Sequence, residues 1–342
     1  MRVLHLAAGN RWTGAAAPAF AEVEALRAAG IDAHYAYVGG YKLQGKLEHH
    51  DFAHPLIEKA QNPLSFKRTT AAIDRLVRHH GFDIIHAHLT YDHWVARFVA
   101  RDRNVSIART FHARRVLRSD PFSRLLLRRT DRLFVINAAF TIPGRNAIFT
   151  PPPLDHRQFN LDGPAIPAPS KLVTVIGKLS AGRGFEKALE TYAALRRIRT
   201  DAKLMIIGHG EHRPALEQLA ASLGIAEHVI WAGYHEDDLA EHYRASKVLL
   251  FTARGSDEGH RAILEAMACG VPPATFPIEG VDALVDRAQI APAATPAALA
   301  AIAAPLLDRD LREAMYQQSL AFGYDAAARR LLTAYETTTL PR

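Results

Sequence analysis

Residues 3–38 read VLHLAAGNRWTGAAAPAFAEVEALRAAGIDAHYAYV, and the order of features along them decides the fold. Val3 to Ala7 is a short apolar run, Gly9 to Gly14 a glycine-containing loop, and Ala16 to Ala29 an apolar-periodic helix. Gly30 ends that helix as a C-terminal cap does, and Ile31 to Val38 reads as the next strand. Strand, crossover helix and strand are the parts of a parallel sheet, because parallel neighbours need a connection that returns to the starting edge.

The alternation continues outward. A helix from Lys67 to His80 is capped by Gly81, Ile84 to Ala87 is a strand, and further strands are predicted at Ser106 to Phe111 and Leu133 to Ile136. Residues 39–66 hold Gly39, Gly40, Gly45 and two prolines without a sustained period, and read as a long excursion near a ligand crevice. Prolines 151, 152, 153, 164, 167 and 169 interrupt regular structure between Phe149 and Lys171. Alternation then restarts with strands at Leu172 to Ile176, Leu204 to Ile207, Val229 to Ala232 and Val248 to Phe251, and helices at Phe185 to Ile198, Arg213 to Leu223 and Ala262 to Cys269. From Thr295 to Tyr335 the pattern is helical, broken at Pro305, Asp308 and Gly323. The expected fold class is α/β: two Rossmann-like, doubly wound domains facing each other across a cleft. Residues 1–155 form the first domain, 156–170 a Pro-rich linker and 171–322 the second domain. Residues 323–342 form a terminal helix crossing back to the first domain.

Length and composition agree. A chain of 342 residues holds about two domains, and 49% hydrophobic with 23% charged residues excludes wholesale disorder, collagen and coiled coil. The single cysteine, Cys269, allows no internal disulfide and reads as core packing, so a reducing compartment, the cytoplasm, is expected. No apolar run reaches the roughly 18–20 residues of a membrane span, and the start MRVLHLAAGNRW lacks a signal-peptide layout. The net charge of +7 is uneven: residues 1–155 carry 22 Lys+Arg against 13 Asp+Glu, and residues 156–342 carry 20 against 22. Arg97 to Arg132 alone holds 11 arginines and three acids, a block that attracts anionic partners or forms a solvated helix face.

Three places could carry chemistry. Gly177-Lys178-Leu179-Ser180-Ala181-Gly182-Arg183-Gly184 follows a strand and opens a helix, where backbone N–H groups, a helix N-terminus and two cations would meet a phosphate or diphosphate. It matches neither the Walker loop nor the dinucleotide fingerprint. Asp257, Glu258, Gly259, His260, Arg261 and Glu265 lie at the end of the strand Val248 to Phe251. Glu265 sits on an otherwise apolar helix, where ribose hydroxyls or a nearby Arg would satisfy its carboxylate. His112 directly follows a strand and is placed at the cleft. His86, His88 and His93, like His49, His50 and His54, invite a metal reading, but no Cys/Asp/Glu cluster accompanies them in sequence and no metal is expected.

With these motifs in order, the chain resembles a retaining GT-B glycosyltransferase of glycosyltransferase family 4 (glycosyl transferases group 1) over nearly its whole length. The strongest segment is Glu265-Ala266-Met267-Ala268-Cys269-Gly270-Val271-Pro272, supported by Gly177 to Gly184, Gly208-His209-Gly210, the Gly14 loop, Thr110-Phe111-His112, and Pro152-Pro153 before Asp155 and Phe159. The resemblance implies a UDP- or GDP-linked sugar bound mainly by the second domain and a glycan or lipid-linked acceptor bound by the first. Lys178 and Arg183 stand where the family holds the diphosphate with an Arg and a Lys. Glu265 fills the ribose position, Asp257 or Glu258 the acidic position near the donor sugar, and Gly259, His260 and Arg261 the places that offer backbone N–H groups to sugar hydroxyls. Gly14, Gly177, Gly184, Gly208 and Gly210 complete the donor-binding set. The expected reaction is metal- and cofactor-independent hexosyl transfer in glycan synthesis, with charge on the leaving diphosphate met by Lys178, Arg183 and helix N-termini, and His112 orienting sugar or acceptor. An anionic inner-membrane surface is the partner expected for the basic first domain, and nucleic acid is not. A catalytically silent nucleotide-sugar-binding scaffold is the alternative reading, favoured by the departures at Lys178, Arg183 and Asp257.

Overall fold

Every strand pairing between named strands is parallel among the described residues of the computed structural model, which are 1–10, 12, 14–60, 62–114, 120–253 and 260–337. The chain divides into two units, Met1–Pro153 joined by the segment from Phe322 onward, and Leu154–Ala321.

In the first unit the elements run β1 (Arg2–Ala7), α1 (Ala16–Ala28), β2 (Asp32–Val38), α2 (Lys42–Leu47), β3 (Ala53–Ile57) and α3 (Pro63–His80). They continue with β4 (Ile84–Ala87), α4 (Thr90–Val99), β5 (Ser106–Phe111), α5 (Pro121–Leu127), β6 (Arg132–Val135) and β7 (Ile148–Phe149). The sheet order is β3-β2-β1-β4-β5-β6-β7. Both faces are buried, which is why the strands read as apolar runs. Leu4, Leu6, Ile85 and Ile107 pack with Ile73 and Val77 of α3 and Val95 of α4, whereas Val3, Ala7, Ile84 and Phe134 pack with α1.

The segment 39–66 is built, not an excursion, and here the sequence reading is corrected. It contains α2, β3 and the start of α3. Pro55 is tolerated because β3 is an edge strand, where a missing donor costs no ladder bond. α3 starts at Pro63 because Asn62 and Ser65 form a reciprocal capping box, Asn62 Oδ1 accepting from Ser65 N and Ser65 Oγ from Asn62 N, both at 2.9 Å. It ends at Gly81, whose φ of 66° is left-handed.

The second unit holds β8 (Leu172–Ile176), α6 (Phe185–Arg196), β9 (Lys203–Ile207), α7 (Arg213–Ser222), β10 (Val229–Gly233) and α8 (Leu239–Ala245). Then come β11 (Val248–Phe251), α9 (Arg261–Ala268), β12 (Pro273–Thr275), α10 (Pro296–Leu306) and α11 (Arg312–Ser319), in a sheet of order β10-β9-β8-β11-β12. Residues 156–170 lie along this unit. Phe159 is buried, Arg244 Nε donates to Pro164 O at 2.7 Å, and Arg312 Nη2 donates to Leu161 O. The last helix, α12 (Tyr324–Glu336), belongs to the first unit. It packs on α1, with Leu331, Ala334 and Tyr335 in the core, Tyr324 Oη donating to Glu24 at 2.9 Å and Arg132 Nε donating to Ala334 O at 2.9 Å.

Two loops of the second unit touch backbone to backbone. Gly208, at φ 143°, donates to Gly233 O, and a Cβ on it would overlap the Gly177 carbonyl; a Cβ on Gly210 would overlap the Leu179 carbonyl. Gly208→Ala is therefore expected to destabilise the protein by roughly 3 kcal/mol, overlap adding to left-handed strain. Gly224→Ala, equally left-handed but facing open space, should cost about 1 kcal/mol. Urea denaturation of both variants checks this, and equal losses would contradict the close approach.

Candidate functional site

In a doubly wound sheet, ligands bind at the carboxyl ends of the strands where the strand order reverses, because the loops on either side diverge there. The reversal falls between β8 and β11 in the second unit and between β1 and β4 in the first.

At the second unit's reversal, the loop Gly177 to Gly184 leaves β8 and enters α6. Its backbone is pinned by Leu179 N donating to His209 O at 2.9 Å and Gly177 N to Ile207 O at 3.0 Å. Gly184 is the N-cap of α6 at φ 87°; a Cβ would overlap the Thr252 carbonyl, and Thr252 Oγ1 donates to Gly184 O at 2.8 Å. Gly184 brings no side chain to cap α6, so among the described residues its positive end is left for an anion. Lys178 is exposed, with Glu211 at 3.9 Å, and Arg183 lines a small cavity with Phe185, Thr252 and Ala253. The structure thus gathers Gly177, Lys178, Arg183, Gly184, Gly208 and Gly210 around one loop pair.

Glu265 lies on α9, 5% exposed. Its Oε1 accepts from Arg261 Nε at 2.6 Å and its Oε2 from the Tyr243 hydroxyl at 3.3 Å. The Arg partner that the sequence offered for this carboxylate is thus in place. His260 precedes α9 at φ 52° and is the one described non-glycine residue with a positive φ; buried, it meets Glu279 O at 3.1 Å through Nε2. A bulky residue held there marks a position fixed by its surroundings. Asp257, Glu258 and Gly259 lie outside the described residues. Cys269 is buried and its thiol is pushed up to about 12, first by burial, as suits core packing.

At the first unit's reversal, His112 follows β5 and its Nε2 lies 2.9 Å from His88 Nδ1. Burial, then Arg109, push His112 down to about 3, so the ring is neutral. Asp92, on α4, accepts from Ala8 N and Leu89 N at 2.8 Å each, tying the β1 and β4 exits together. Burial raises it to about 7 against the pull of Arg109, while burial lowers Arg109 to about 10. Gly14 sits at φ 64° with open space where a Cβ would be, consistent with a turn.

Sequence reasoning missed Asp92, Arg109, His5, Glu22 and Tyr335. His5 of β1 is in register with His86 of β4, and both are completely buried. His5 is pushed down to about 3 by burial, His86 and His88 lie well below the usual imidazole range for the same first cause, and burial pushes Glu22 up to about 8. The signal available was the period-two spacing of His86 and His88, which puts both on one sheet face; the carboxylate facing them lies on α1, far off in sequence. His93 is not part of this group: its Nε2 meets Thr130 Oγ1 at 2.8 Å. Nor do His49, His50 and His54 converge, since His54 pairs with His34 and His50 packs on Phe20 and Phe52.

Two family models match the chain, Glycosyl transferases group 1 over residues 157–321 and Glycosyltransferase Family 4 over residues 12–141. A GDP-mannose-dependent alpha-(1-6)-phosphatidylinositol monomannoside mannosyltransferase of Mycolicibacterium smegmatis is 33% identical over 108 residues, 30% of this chain and 28% of that protein. Alpha-D-kanosaminyltransferase of Streptomyces kanamyceticus is 27% identical over 152 residues, 43% of this chain and 39% of that one. The matched segments span well under half of these curated relatives. Among solved structures, a Rickettsia africae glycosyltransferase superposes with a TM-score of 0.80 at 14% identity over 100% of this chain and 99% of that one. Anabaena HepE in complex with UDP does so at 0.76 and 16%, over 98% and 100%.

The buried first-unit groups give stability a pH dependence. The folded imidazoles of His5, His86, His88 and His112 refuse protons that the unfolded chain takes up below about 6.5, so their contribution is present above that pH and is lost as pH falls. Glu22 and Asp92 act oppositely, holding protons when folded, so their contribution is lost as pH rises toward 8 and 7. Four imidazoles against two carboxyls leave a net uptake on unfolding between pH 4.5 and 6.5, each net proton worth about 1.4 kcal/mol per pH unit. In chelator-treated protein the urea midpoint is expected to fall from pH 6.5 to pH 5; a flat or rising midpoint there would contradict the neutral cluster.

Proposed function

The chain belongs to the GT-B glycosyltransferases, matching the glycosyl transferases group 1 and family 4 models, and on that basis we propose that it transfers a sugar, with retention and without a metal, from a UDP- or GDP-linked donor to a glycan or lipid-linked acceptor. The observation that carries this is the second unit's loop pair. Gly184, Gly208 and Gly210 bring backbone within contact of backbone, the α6 N-terminus is open, and Lys178 and Arg183 flank it. Such a cradle suits a diphosphate, whose charge grows as the sugar departs and is met there by fixed dipoles and two cations. The acceptor hydroxyl attacks from the leaving-group face and passes its proton to a diphosphate oxygen. Ribose hydroxyls take Glu265 by competing with Arg261, whose side chain is half-exposed. His112, neutral and backed by His88, accepts or donates one hydrogen bond to sugar or acceptor without adding charge.

The Arg-rich first unit supports an anionic, membrane-held acceptor. Trp94, Arg97, Phe98, Arg101, Leu125 and Arg129 line a cavity of about 340 Å³. Phe98, Leu125 and the nearby Phe122 are exposed, and burial, Arg129 and Arg101 pull the Arg97 guanidinium below its ordinary range. Cations crowded among exposed apolar side chains fit headgroup phosphates above acyl chains. No helix among the described residues is long and apolar enough to cross a membrane.

Release of nucleotide diphosphate from a panel of UDP- and GDP-sugars, with and without acceptors, tests the transfer. The Lys178→Ala/Arg183→Ala double variant should lose about 10³-fold or more in turnover while unfolding at the wild-type temperature. Near-normal turnover would overturn the mechanism, and donor-induced thermal stabilisation without any diphosphate release would identify a binder. For the surface, flotation with phosphatidylglycerol vesicles is expected, absent with phosphatidylcholine and lost in Arg97→Glu/Arg101→Glu; equal absence from both vesicle types removes the membrane reading.

A further inference from the structure

We propose that His5, Glu22, His86 and His88 form a buried structural site for one divalent cation of the zinc type, held by three imidazole nitrogens and one carboxylate oxygen. The four residues come from β1, α1 and β4, and each is at most 1% exposed. Glu22 Oε2 lies 3.6 Å from His5 Nδ1, 3.8 Å from His86 Nδ1 and 3.7 Å from His88 Nε2, and one ligand atom from each residue falls within 4.8 Å of all the others. Ligand bonds of about 2.0–2.1 Å in a tetrahedral site separate the donors by roughly 3.3–3.4 Å. Three of these separations are therefore a few tenths of an ångström from that edge. They are too long for hydrogen bonds, and Glu22 Oε2 is a buried oxygen with no hydrogen-bond partner among the described residues. A purely hydrogen-bonded cluster leaves that oxygen unexplained; a cation at the centre accounts for it.

Two of the three outward nitrogens agree, while the third, His5 Nε2, has no partner among the described residues. His86 Nε2 lies 2.7 Å from Thr110 Oγ1, and His88 Nδ1 lies 2.9 Å from His112 Nε2. Partners of that kind take the outer N–H and leave the inner nitrogen's lone pair facing the metal, the arrangement that orients ligand histidines in general. Tyr335 of α12 places its hydroxyl 2.6 Å from His86 Nδ1, and in the tautomer with Nε2–H on Thr110 it donates to that lone pair. A cation taking the lone pair displaces the hydroxyl. His5 Nδ1 and His88 Nε2, 2.9 Å apart, separate by about 0.4 Å to reach the tetrahedral edge. Three imidazoles and one carboxylate suit zinc over magnesium or calcium, which take oxygen sets. The cation pins α1 to the two central strands and, through His88, fixes the orientation of His112. This inference stands on the first unit's geometry alone and does not rest on the donor reading.

Because the site is enclosed, the cation enters as the chain folds. Untagged full-length protein is unfolded, refolded with zinc chloride or with chelator, freed of loose metal by gel filtration, and measured by elemental analysis and circular dichroism. About one zinc per folded chain is expected, and cobalt(II) in its place should give the intense visible bands of a tetrahedral site. The near-isosteric Glu22→Gln and His88→Gln should bind zinc at least about tenfold more weakly with a native dichroism spectrum. Tyr335→Phe, which removes a competitor, should retain zinc fully. Asp238→Asn should also retain it; that variant controls for the His235, Asp238 and His242 group, whose ligand atoms are similarly close. Native protein refolded in zinc yet metal-free, zinc bound equally by Glu22→Gln, or zinc lost from Asp238→Asn would each overturn the proposal.

Discussion

Parallel strands that are joined by right-handed crossovers all end on one edge of their sheet, and a chain that lays strands first to one side and then to the other must reverse somewhere along that edge. Both units obey this constraint, at β1/β4 and at β8/β11. Everything with chemical potential sits where it forces the loops apart. Gly177 to Gly184 leaves β8 at one reversal, while His88 and Asp92 follow β4 at the other, with His112 after the neighbouring β5. Burial of both sheet faces supplies the rigidity, and the loops inherit their positions from strands that cannot shift without exposing apolar surface.

The two units solve the problem of polar groups at a buried edge differently. In the second unit the polar groups are largely backbone: glycines at 184, 208 and 210 let carbonyls and N–H groups approach where any Cβ would intrude. In the first unit they are side chains placed in the sheet itself. Alternation along β1, β4 and β5 puts His5, His86 and Thr110 on the α1 side and Arg109 on the α4 side, beside Asp92. A buried polar atom without a partner costs about 1–3 kcal/mol, and here Arg109 Nε and Nη1, Glu22 Oε2 and His5 Nε2 all lack one among the described residues. Such atoms on both faces of the same three strands are costly unless the region answers to something beyond packing.

What was legible in the sequence follows from this difference. Glycine, proline and period announce themselves locally, so β4, β5 and β11 are readable to the residue and Gly81 marks the end of α3. α2, β3, α5 and β12 are short, and their state is set by neighbours: β3 is a strand because Tyr35 and Ala36 of β2 pair with it, not because AHPLI insists on it. The cradle at Gly177 to Gly184 was readable because its chemistry is contiguous. The first-unit cluster was not, since Glu22, His86 and Tyr335 are separated by 64 and 249 positions and only the fold brings them together. For Glu265 the residue type fixed a need for donors, and the spacing of four to Arg261 was the clue to which donor the structure uses.

Charge shows the same limit from another side. A count assigns eleven arginines to the stretch from Arg97 to Arg132 as though they were equivalent. The fold sorts them. Arg109 is buried beside Asp92, Arg103 is paired with Asp74, and Arg132 Nε donates to the backbone of α12 at Ala334. None of these three can present its charge to a partner without breaking structure. Arg97, Arg101 and Arg129 instead converge on one cavity beside Phe98 and Leu125, where burial and then the charges of Arg129 and Arg101 pull the Arg97 guanidinium below its ordinary range. Of the six arginines sorted here, three form one patch of guanidinium groups, and the chemistry of that patch, not the total of +7, decides what it can bind.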